Sequence, residues 1–115
     1  MTFKDEIVTT DAERYTGIVS NEIQVTEVYS TDAHILVHEL VVLEDDKQYF
    51  PAYHGVVIIR DEIAQRHPEL VALFDQLEGR LTDSIMRGLN YRVDILGESP
   101  SDVAESFLRE NGLIG

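Results

Sequence analysis

The sequence predicts an α/β fold in which a few strands precede a helical C-terminal half. Two runs of four consecutive apolar residues, 40–43 and 56–59, are typical of strands that are buried on both faces. After Arg60 the apolar residues recur at spacings of three and four, which is the period of amphipathic helices. The length of 115 residues suits one small domain, and an apolar share of 43% is that of a folded protein.

The N-terminal part predicts two short helices with an extended segment at residues 23–28 between them. A helix N-cap is a residue whose side chain accepts one of the first free backbone N–H groups, and Ser, Thr and Asp serve best. The candidate N-caps are Thr10 or Asp11 for the first helix and Ser30 or Thr31 for the second.

Two buried strands are predicted next. The run at residues 40–43 ends at an acidic turn, residues 44–46, and Pro51 excludes a regular helix just before it. The run at residues 56–59 forms the second strand. Strands buried on both faces need neighbours on either side, so a chain with about three strands is expected to hold an incomplete sheet.

Three amphipathic helices are predicted in the C-terminal half. Each begins at a proline or a capping residue and ends near a glycine, as helices commonly do. The starts are Pro68, Thr82 and Ser99 with Pro100, and the corresponding ends are Gly79, Gly97 and Gly112.

The charge of the chain limits its partners. A net charge of −13 argues against nucleic acid as a partner, because such a surface lacks a Lys/Arg patch for phosphates, and it makes a cation the better electrostatic partner. The absence of cysteine excludes a disulfide scaffold and a thiolate zinc site. No signal peptide or transmembrane segment is predicted, because the N-terminus has no long apolar run.

Two histidines suggest metal binding. His34 and His38 are four residues apart on a predicted helix, with Asp32 and Glu39 nearby, so both imidazoles fall on one face. The alternative is a pair of half-exposed helix histidines, because no third ligand has a suitable spacing.

Two further patterns are weighed against simpler explanations. Ser30, Asp32 and His34 are the residue types of a hydrolase triad, but the strand-turn-helix elbow that presents such a serine is missing. The acidic residues 44–46 could hold calcium, yet the ligand spacing and central glycine of a calcium loop are absent, which favours a solvated turn. No catalytic residue, metal or cofactor is predicted.

Two tyrosines suggest a ligand site. Tyr29 and Tyr53 lie at predicted strand ends, where open α/β sheets place ligands. The face of an aromatic ring attracts a cation, including a quaternary ammonium group that cannot donate hydrogen bonds. The alternative is that both rings cover the core with their hydroxyls in water.

Several segments of the chain resemble, in order and spacing, the C-terminal part of the substrate-binding proteins of osmoprotectant ABC importers. These importers take up glycine betaine, choline and carnitine. The matching segments are Val28-Tyr29-Ser30-Thr31-Asp32, Val42-Leu43-Glu44-Asp45-Asp46-Lys47, Phe50-Pro51-Ala52-Tyr53, Leu81-Thr82, Leu89-Asn90-Tyr91-Arg92-Val93-Asp94 and Val103-Ala104-Glu105-Ser106-Phe107-Leu108. Ala52 stands where the family usually has a second proline.

The resemblance implies a partial type II periplasmic-binding-protein-like fold. Family members have two α/β lobes that close on the ligand, and a member is more than twice as long as this chain. The chain is therefore expected to be a fragment, with residues 1–43 in one lobe, residues 44–53 as a crossover and residues 54–115 in the other lobe.

The resemblance also implies a function without catalysis. Tyrosines box the trimethylammonium head of the ligand in the choline-type subgroup, and Tyr29 and Tyr53 match two of them; the shared motif adds Thr31 and Asp32 as ligand-binding residues. The expected partners are a quaternary ammonium compound and ABC permease and ATPase subunits, at the outer face of the membrane or in the periplasm. The isolated chain is expected to form a homodimer or domain-swapped oligomer. The alternative function is an acidic, non-enzymatic interaction module that associates with itself or with another lobe and has lost ligand binding.

Overall fold

Six α-helices are present in the part of the chain that the structure, a computed structural model, describes: residues 4–51 and 53–115. The first three are α1, Asp11–Val19; α2, His34–Val37; and α3, Asp61–Arg66. The others are α4, Pro68–Asp75; α5, Asp83–Asp94; and α6, Pro100–Glu110.

The helix starts follow the predicted caps. Thr10 forms a reciprocal capping box with Glu13, in which the Thr10 side chain accepts from the Glu13 backbone and the Glu13 carboxylate accepts from the Thr10 backbone. Thr82 accepts from the backbone N–H of Ile85 at the start of α5. Pro68 and Pro100 occupy the first turns of α4 and α6, where a missing N–H costs no hydrogen bond. The predicted starts of these four helices are confirmed.

Two of the three predicted glycine ends of the C-terminal helices are confirmed. Gly97 and Gly112 lie three and two residues beyond the ends of α5 and α6, whereas α4 ends at Asp75, four residues before Gly79. Gly79, Gly97 and Gly112 have φ values of 72°, 71° and 66°. An L side chain is strained in this left-handed region, whereas glycine is not, so Gly97 and Gly112 let the chain turn away after α5 and α6.

The predicted α/β fold is wrong. No strand occurs in residues 4–51 and 53–115, and the predicted strands at residues 40–43 and 56–59 are irregular segments. A strand exists only when its backbone groups pair with a neighbouring strand. Between positions 41 and 59, the one backbone hydrogen bond in the described part runs from Gln48 N–H to the Asp45 carbonyl. The apolar runs are therefore not buried: Val41 is 84% exposed and Ile58 is 90% exposed.

Two helices differ from the prediction. The second helix has only four residues, and its N-cap position is Ala33 rather than Ser30 or Thr31. The Asp32 carboxylate accepts from the His34 backbone N–H at 2.9 Å. The helix α3 follows immediately after Arg60 and was not predicted separately.

Only five apolar side chains are buried in the described part of the chain. Tyr15, Ala33 and Ile35 are buried around α1 and α2, and Val103 and Phe107 are buried on α6, which packs against α5. The radius of gyration is 18.2 Å, whereas a compact domain of this length has about 13 Å. The accessible surface is 9610 Å², against about 6400 Å² for a compact chain of 13.1 kDa. Much apolar surface is thus left uncovered.

None of the helices in the described ranges is long and apolar enough to span a membrane.

Candidate functional site

A tight turn from Tyr29 to Asp32 carries three of the four predicted ligand-binding residues. The turn closes with a hydrogen bond of 3.0 Å from the Asp32 backbone N–H to the Tyr29 carbonyl. The Asp32 carboxylate then accepts from the His34 backbone N–H at the start of α2, as described above. The turn therefore projects Tyr29 and holds the Asp32 carboxylate at its far end.

Tyr29 and Tyr53 lie next to each other. Their ring centroids are 6.5 Å apart and their planes meet at 80°. The rings are 72% and 79% exposed, so neither is sealed in a core. At this separation a single point can lie within about 6 Å of both centroids, which meets the distance requirement of a cation–π contact with each ring; the edge-to-face arrangement of the pair does not by itself turn both faces toward that point.

A cleft of about 990 Å³ opens beside Tyr29. Asp32 and Tyr29 line this cleft, whereas Thr31 and Tyr53 do not. Carboxylates dominate its charged lining, with Asp11, Glu27 and Asp32 against Arg14 alone. The field inside the cleft therefore favours a cation over an anion.

The two histidines stack instead of converging. The His34 and His38 rings are nearly parallel, with an angle of 11° and centroids 5.6 Å apart, and both stack on Tyr15. Metal ligands must aim their nitrogens at one point, which parallel rings do not do. No group of three or more potential ligands occurs in the described residues. The geometry favours the alternative of half-exposed histidines.

Tyr15 at the centre of this stack is buried and unbonded. It is 7% exposed, and its hydroxyl has no hydrogen-bond partner in the described part of the chain. Burial raises the pKa of the Tyr15 phenol well above its ordinary value of 10.0, and the nearby Asp32 carboxylate raises that pKa further. Asp32 is thus close enough to act electrostatically, although it does not meet the geometry of a hydrogen bond.

The triad hypothesis has no support in the geometry. Asp32 bonds the backbone N–H of His34, and the His34 Nδ1 atom is buried without a partner. A catalytic relay needs the carboxylate on the imidazole ring itself, so Ser30, Asp32 and His34 are not arranged for one.

In the acidic turn at residues 44–46, the central carboxylate accepts hydrogen bonds from the backbone. Asp45 accepts from the N–H groups of Tyr49 and Phe50 at 2.9 and 2.8 Å. These bonds lower the pKa of Asp45 below its ordinary value of 3.8. The carboxylate organises the loop that leads to Tyr53, which fits a turn better than a calcium site. Ala52 in this loop lies outside the described residues.

Two residues of α5 that the sequence did not single out also reach the turn. Arg87 donates to the Ser30 carbonyl, and Asn90 donates to the Thr31 carbonyl. Their spacing of three residues places both side chains on one face of the helix.

Comparison with known proteins decides the family. Residues 2–110 match the family OpuAC, described as the substrate binding domain of ABC-type glycine betaine transport systems. The chain belongs to the OpuAC family. The predicted resemblance is thereby confirmed, and so is the prediction of a non-enzymatic transport component, because the family consists of substrate-binding domains.

Three curated relatives illustrate the range of OpuAC ligands. The chain is 45% identical over 100 residues to the glycine-betaine-binding protein of Pseudomonas aeruginosa, which covers 87% of the chain and 32% of the relative. It is 40% identical over 100 residues to the ergothioneine transport permease/ergothioneine binding protein EgtU of Helicobacter pylori, covering 87% of the chain and 18% of the relative. It is 39% identical over 97 residues to the carnitine transport binding protein OpuCC of Listeria monocytogenes, covering 84% of the chain and 32% of the relative. The chain spans about a third or less of the length of these relatives.

Proposed function

We propose that this chain forms part of the substrate-binding component of an ABC importer for quaternary ammonium osmoprotectants such as glycine betaine, choline or carnitine. In this proposal Tyr29 and Tyr53 contact the trimethylammonium head of the ligand. The observation that carries it is the 6.5 Å separation of two exposed, nearly perpendicular phenol rings.

The chemistry of the two rings supports a methylated cation. A trimethylammonium group has no N–H to donate, so a hydrogen-bonding carboxylate gains little from it, whereas an aromatic face attracts its diffuse charge. The names of the relatives support the same class, because glycine betaine, carnitine and ergothioneine all carry a trimethylammonium group.

Asp32 and Thr31 are proposed as secondary contacts. The Asp32 carboxylate lies in the lining of the cleft with Tyr29 and adds a negative potential for the cation. Thr31 adds a hydroxyl that can donate to or accept from the polar end of the ligand.

Two tyrosines alone support only weak binding. Each cation–π contact contributes roughly 0.5–2 kcal/mol. Two contacts therefore give about 1–4 kcal/mol, whereas a dissociation constant of 1 mM corresponds to about 4.1 kcal/mol. We expect the chain by itself to bind choline or glycine betaine with a dissociation constant of about 1 mM or higher.

The wider arrangement follows the family. We propose that residues 1–43 and 54–115 belong to two lobes joined by a crossover at residues 44–53. The component works with permease and ATPase subunits at the outer face of the membrane or in the periplasm. The energy for transport comes from the ATPase subunits.

The experiment is a titration of the chain with choline, followed by the NMR shifts of the tyrosine rings. Tyr29→Ala and Tyr53→Ala are each expected to weaken binding by about 2- to 30-fold, the loss of one cation–π contact. Tyr49→Ala is the matched control. Tyr49 is also exposed and also stacks edge-on with an aromatic neighbour, Phe50, at 5.1 Å. Saturable binding that both Tyr29→Ala and Tyr53→Ala leave unchanged would remove the tyrosine pair from the account.

A second candidate function is an acidic interaction module that associates with itself. It is favoured by the accessible surface, which exceeds that of a compact chain by roughly half. In this alternative a second copy covers exposed apolar residues such as Val56, Val57 and Ile58, and the protein forms a homodimer or a domain-swapped oligomer. Saturable choline binding that Tyr29→Ala and Tyr53→Ala weaken distinguishes the first function from this one.

A further inference from the structure

We propose that Arg87 and Asn90 on α5 are positioning residues for the ligand-binding turn from Tyr29 to Asp32. The expected effect of these residues on ligand binding rests on the proposed function. Their expected effect on the order of the turn does not. The two side chains hold the turn from a helix that lies more than fifty residues further along the sequence.

The side chains of Arg87 and Asn90 form hydrogen bonds with the two central residues of the turn. Arg87 donates from Nε at 2.8 Å and from Nη2 at 2.5 Å to the Ser30 carbonyl. Asn90 donates from Nδ2 at 2.9 Å to the Thr31 carbonyl. Ser30 and Thr31 are the two central residues of the turn. Side chains on one face of α5 therefore donate to both central carbonyls of the turn.

Burial and charge both strengthen these three hydrogen bonds. All three are part-buried, which shields them from competing water. The Arg87 bonds come from a charged donor, and such bonds contribute more than neutral ones.

The backbone of the turn sets the position of Tyr29. Because the Tyr29 ring is 72% exposed, side-chain packing restrains it little. Its placement beside Tyr53 therefore depends on the direction of its own Cα–Cβ bond, which the turn fixes. Asp32 depends on the same turn for its place in the cleft.

The contacts also join the two predicted lobes. Ser30 and Thr31 belong to the first predicted lobe, residues 1–43, and Arg87 and Asn90 belong to the second, residues 54–115. The packing of α2 against α5 runs beside these bonds. Arg87 and Asn90 thus link the ligand-binding turn to the helical half of the chain.

The first test is amide hydrogen exchange measured by NMR, which needs no ligand. Asn90→Asp replaces the donor with an acceptor, and Arg87→Met removes both donors. Each is expected to speed exchange at the Asp32 and His34 amides by about tenfold, the effect of losing one such bond. Arg87→Lys, which keeps a charged donor, is expected to fall between the wild type and Arg87→Met.

The matched control is Asn111→Asp. Asn111 donates from Nδ2 to the Phe107 carbonyl at 2.8 Å, the same kind of bond at the end of α6. It is expected to leave exchange in the turn unchanged. An equal increase in α6 for Asn90→Asp or Arg87→Met would indicate general destabilisation and would overturn the proposal, as would unchanged exchange at Asp32 and His34.

The second test is the choline affinity of the same variants. Asn90→Asp and Arg87→Met are expected to weaken binding by about threefold or more relative to Asn111→Asp, because a mobile turn must be ordered on binding. If the wild-type chain binds no choline, the proposed function fails, and the exchange experiment alone decides the role of Arg87 and Asn90. If choline binds and the variants do not weaken it, the positioning role in binding is refuted.

Discussion

The phenol ring of Tyr15 stacks on the imidazole ring of His34, with centroids 4.5 Å apart and planes 27° apart. This stack buries the Tyr15 hydroxyl without a hydrogen-bond partner in the described residues. It joins α1 to the start of α2, and both rings line the cleft that opens beside Tyr29.

The unbonded hydroxyl predicts that Tyr15→Phe stabilises the chain. Burying a hydroxyl without a partner costs roughly 1–3 kcal/mol, and phenylalanine removes that cost while it keeps the ring stack. We expect the free energy of unfolding to rise by about 1 kcal/mol. Urea denaturation followed by circular dichroism measures it, and a loss of stability would mean that the hydroxyl is bonded in solution.

The same residue predicts sensitivity to alkali. The pKa of the Tyr15 phenol is higher in the folded chain than the ordinary value of 10.0. The pH-dependent part of the free energy of unfolding that comes from this difference is fully present below about pH 10 and is lost as the pH rises further. The melting temperature of the wild type should fall above about pH 10 more steeply than that of Tyr15→Phe. Parallel curves for the two proteins would contradict this assignment.

The capping box at α1 predicts a loss of stability in Thr10→Ala. The variant removes the acceptor for Glu13 N–H, and losing such a cap costs about 1 kcal/mol. Thr16→Ala is the matched control in the same helix, because the Thr16 hydroxyl only donates back to the Ala12 carbonyl. Thermal unfolding should separate the two variants; equal melting temperatures would show that the cap contributes nothing measurable.

Acid is predicted to destabilise the chain through three carboxylates. Hydrogen bonds lower the pKa values of Glu13, Asp45 and Glu98; their donors are Thr10 for Glu13, the Tyr49 and Phe50 amides for Asp45, and Arg92 for Glu98. A lowered pKa means that the stabilisation is present above the ordinary value and is lost as the pH falls through the lowered value. The melting temperature should therefore decrease from about pH 4.5 downward.

Glu98→Gln provides the check on that acid dependence. Arg92 and Glu98 form a two-point ion pair, with Nε to Oε1 at 3.0 Å and Nη2 to Oε2 at 2.6 Å. Neutral glutamine cannot be protonated, so the variant should be less stable near neutral pH and should lose less on acidification. An unchanged acid slope would exclude Glu98 as a contributor.

The exposed apolar surface predicts self-association. Light scattering between 1 and 100 μM is expected to detect dimers or larger species, and Ile58→Asp is expected to shift them toward monomer. Val8→Asp is the control, because Val8 is equally exposed but lies far in sequence from the apolar run at residues 56–59. A strictly monomeric wild type would contradict the prediction.

The sequence predicts the ends of helices well and the pairing of strands poorly. The caps at Thr10 and Thr82 and the glycine at position 112 act within a few residues, so their effect can be seen in the sequence itself. The runs at residues 40–43 and 56–59 predicted strands, but a strand needs a partner that no local pattern supplies. The two runs are apolar as predicted, but no strand pairs with them in residues 4–51 and 53–115.

The candidate site shows the same division. The proximity of Tyr29 and Tyr53 was expected from the resemblance of their motifs to a known family. Arg87 and Asn90 were not predicted, because an arginine and an asparagine three residues apart are ordinary on a helix surface. Their acceptors lie 57 and 59 positions earlier in the chain, and only the folded backbone brings them together.

The measurement that tests the central claim most directly compares choline with 3,3-dimethyl-1-butanol, its neutral isostere, in titrations of the wild-type chain. The two compounds have the same shape, and only choline carries the charge that an aromatic face attracts. If Tyr29 and Tyr53 bind a trimethylammonium group, choline should shift the resonances of both rings and bind at least about fivefold more tightly than the alcohol. Equal affinities, or choline binding that leaves both rings unshifted, would contradict the account.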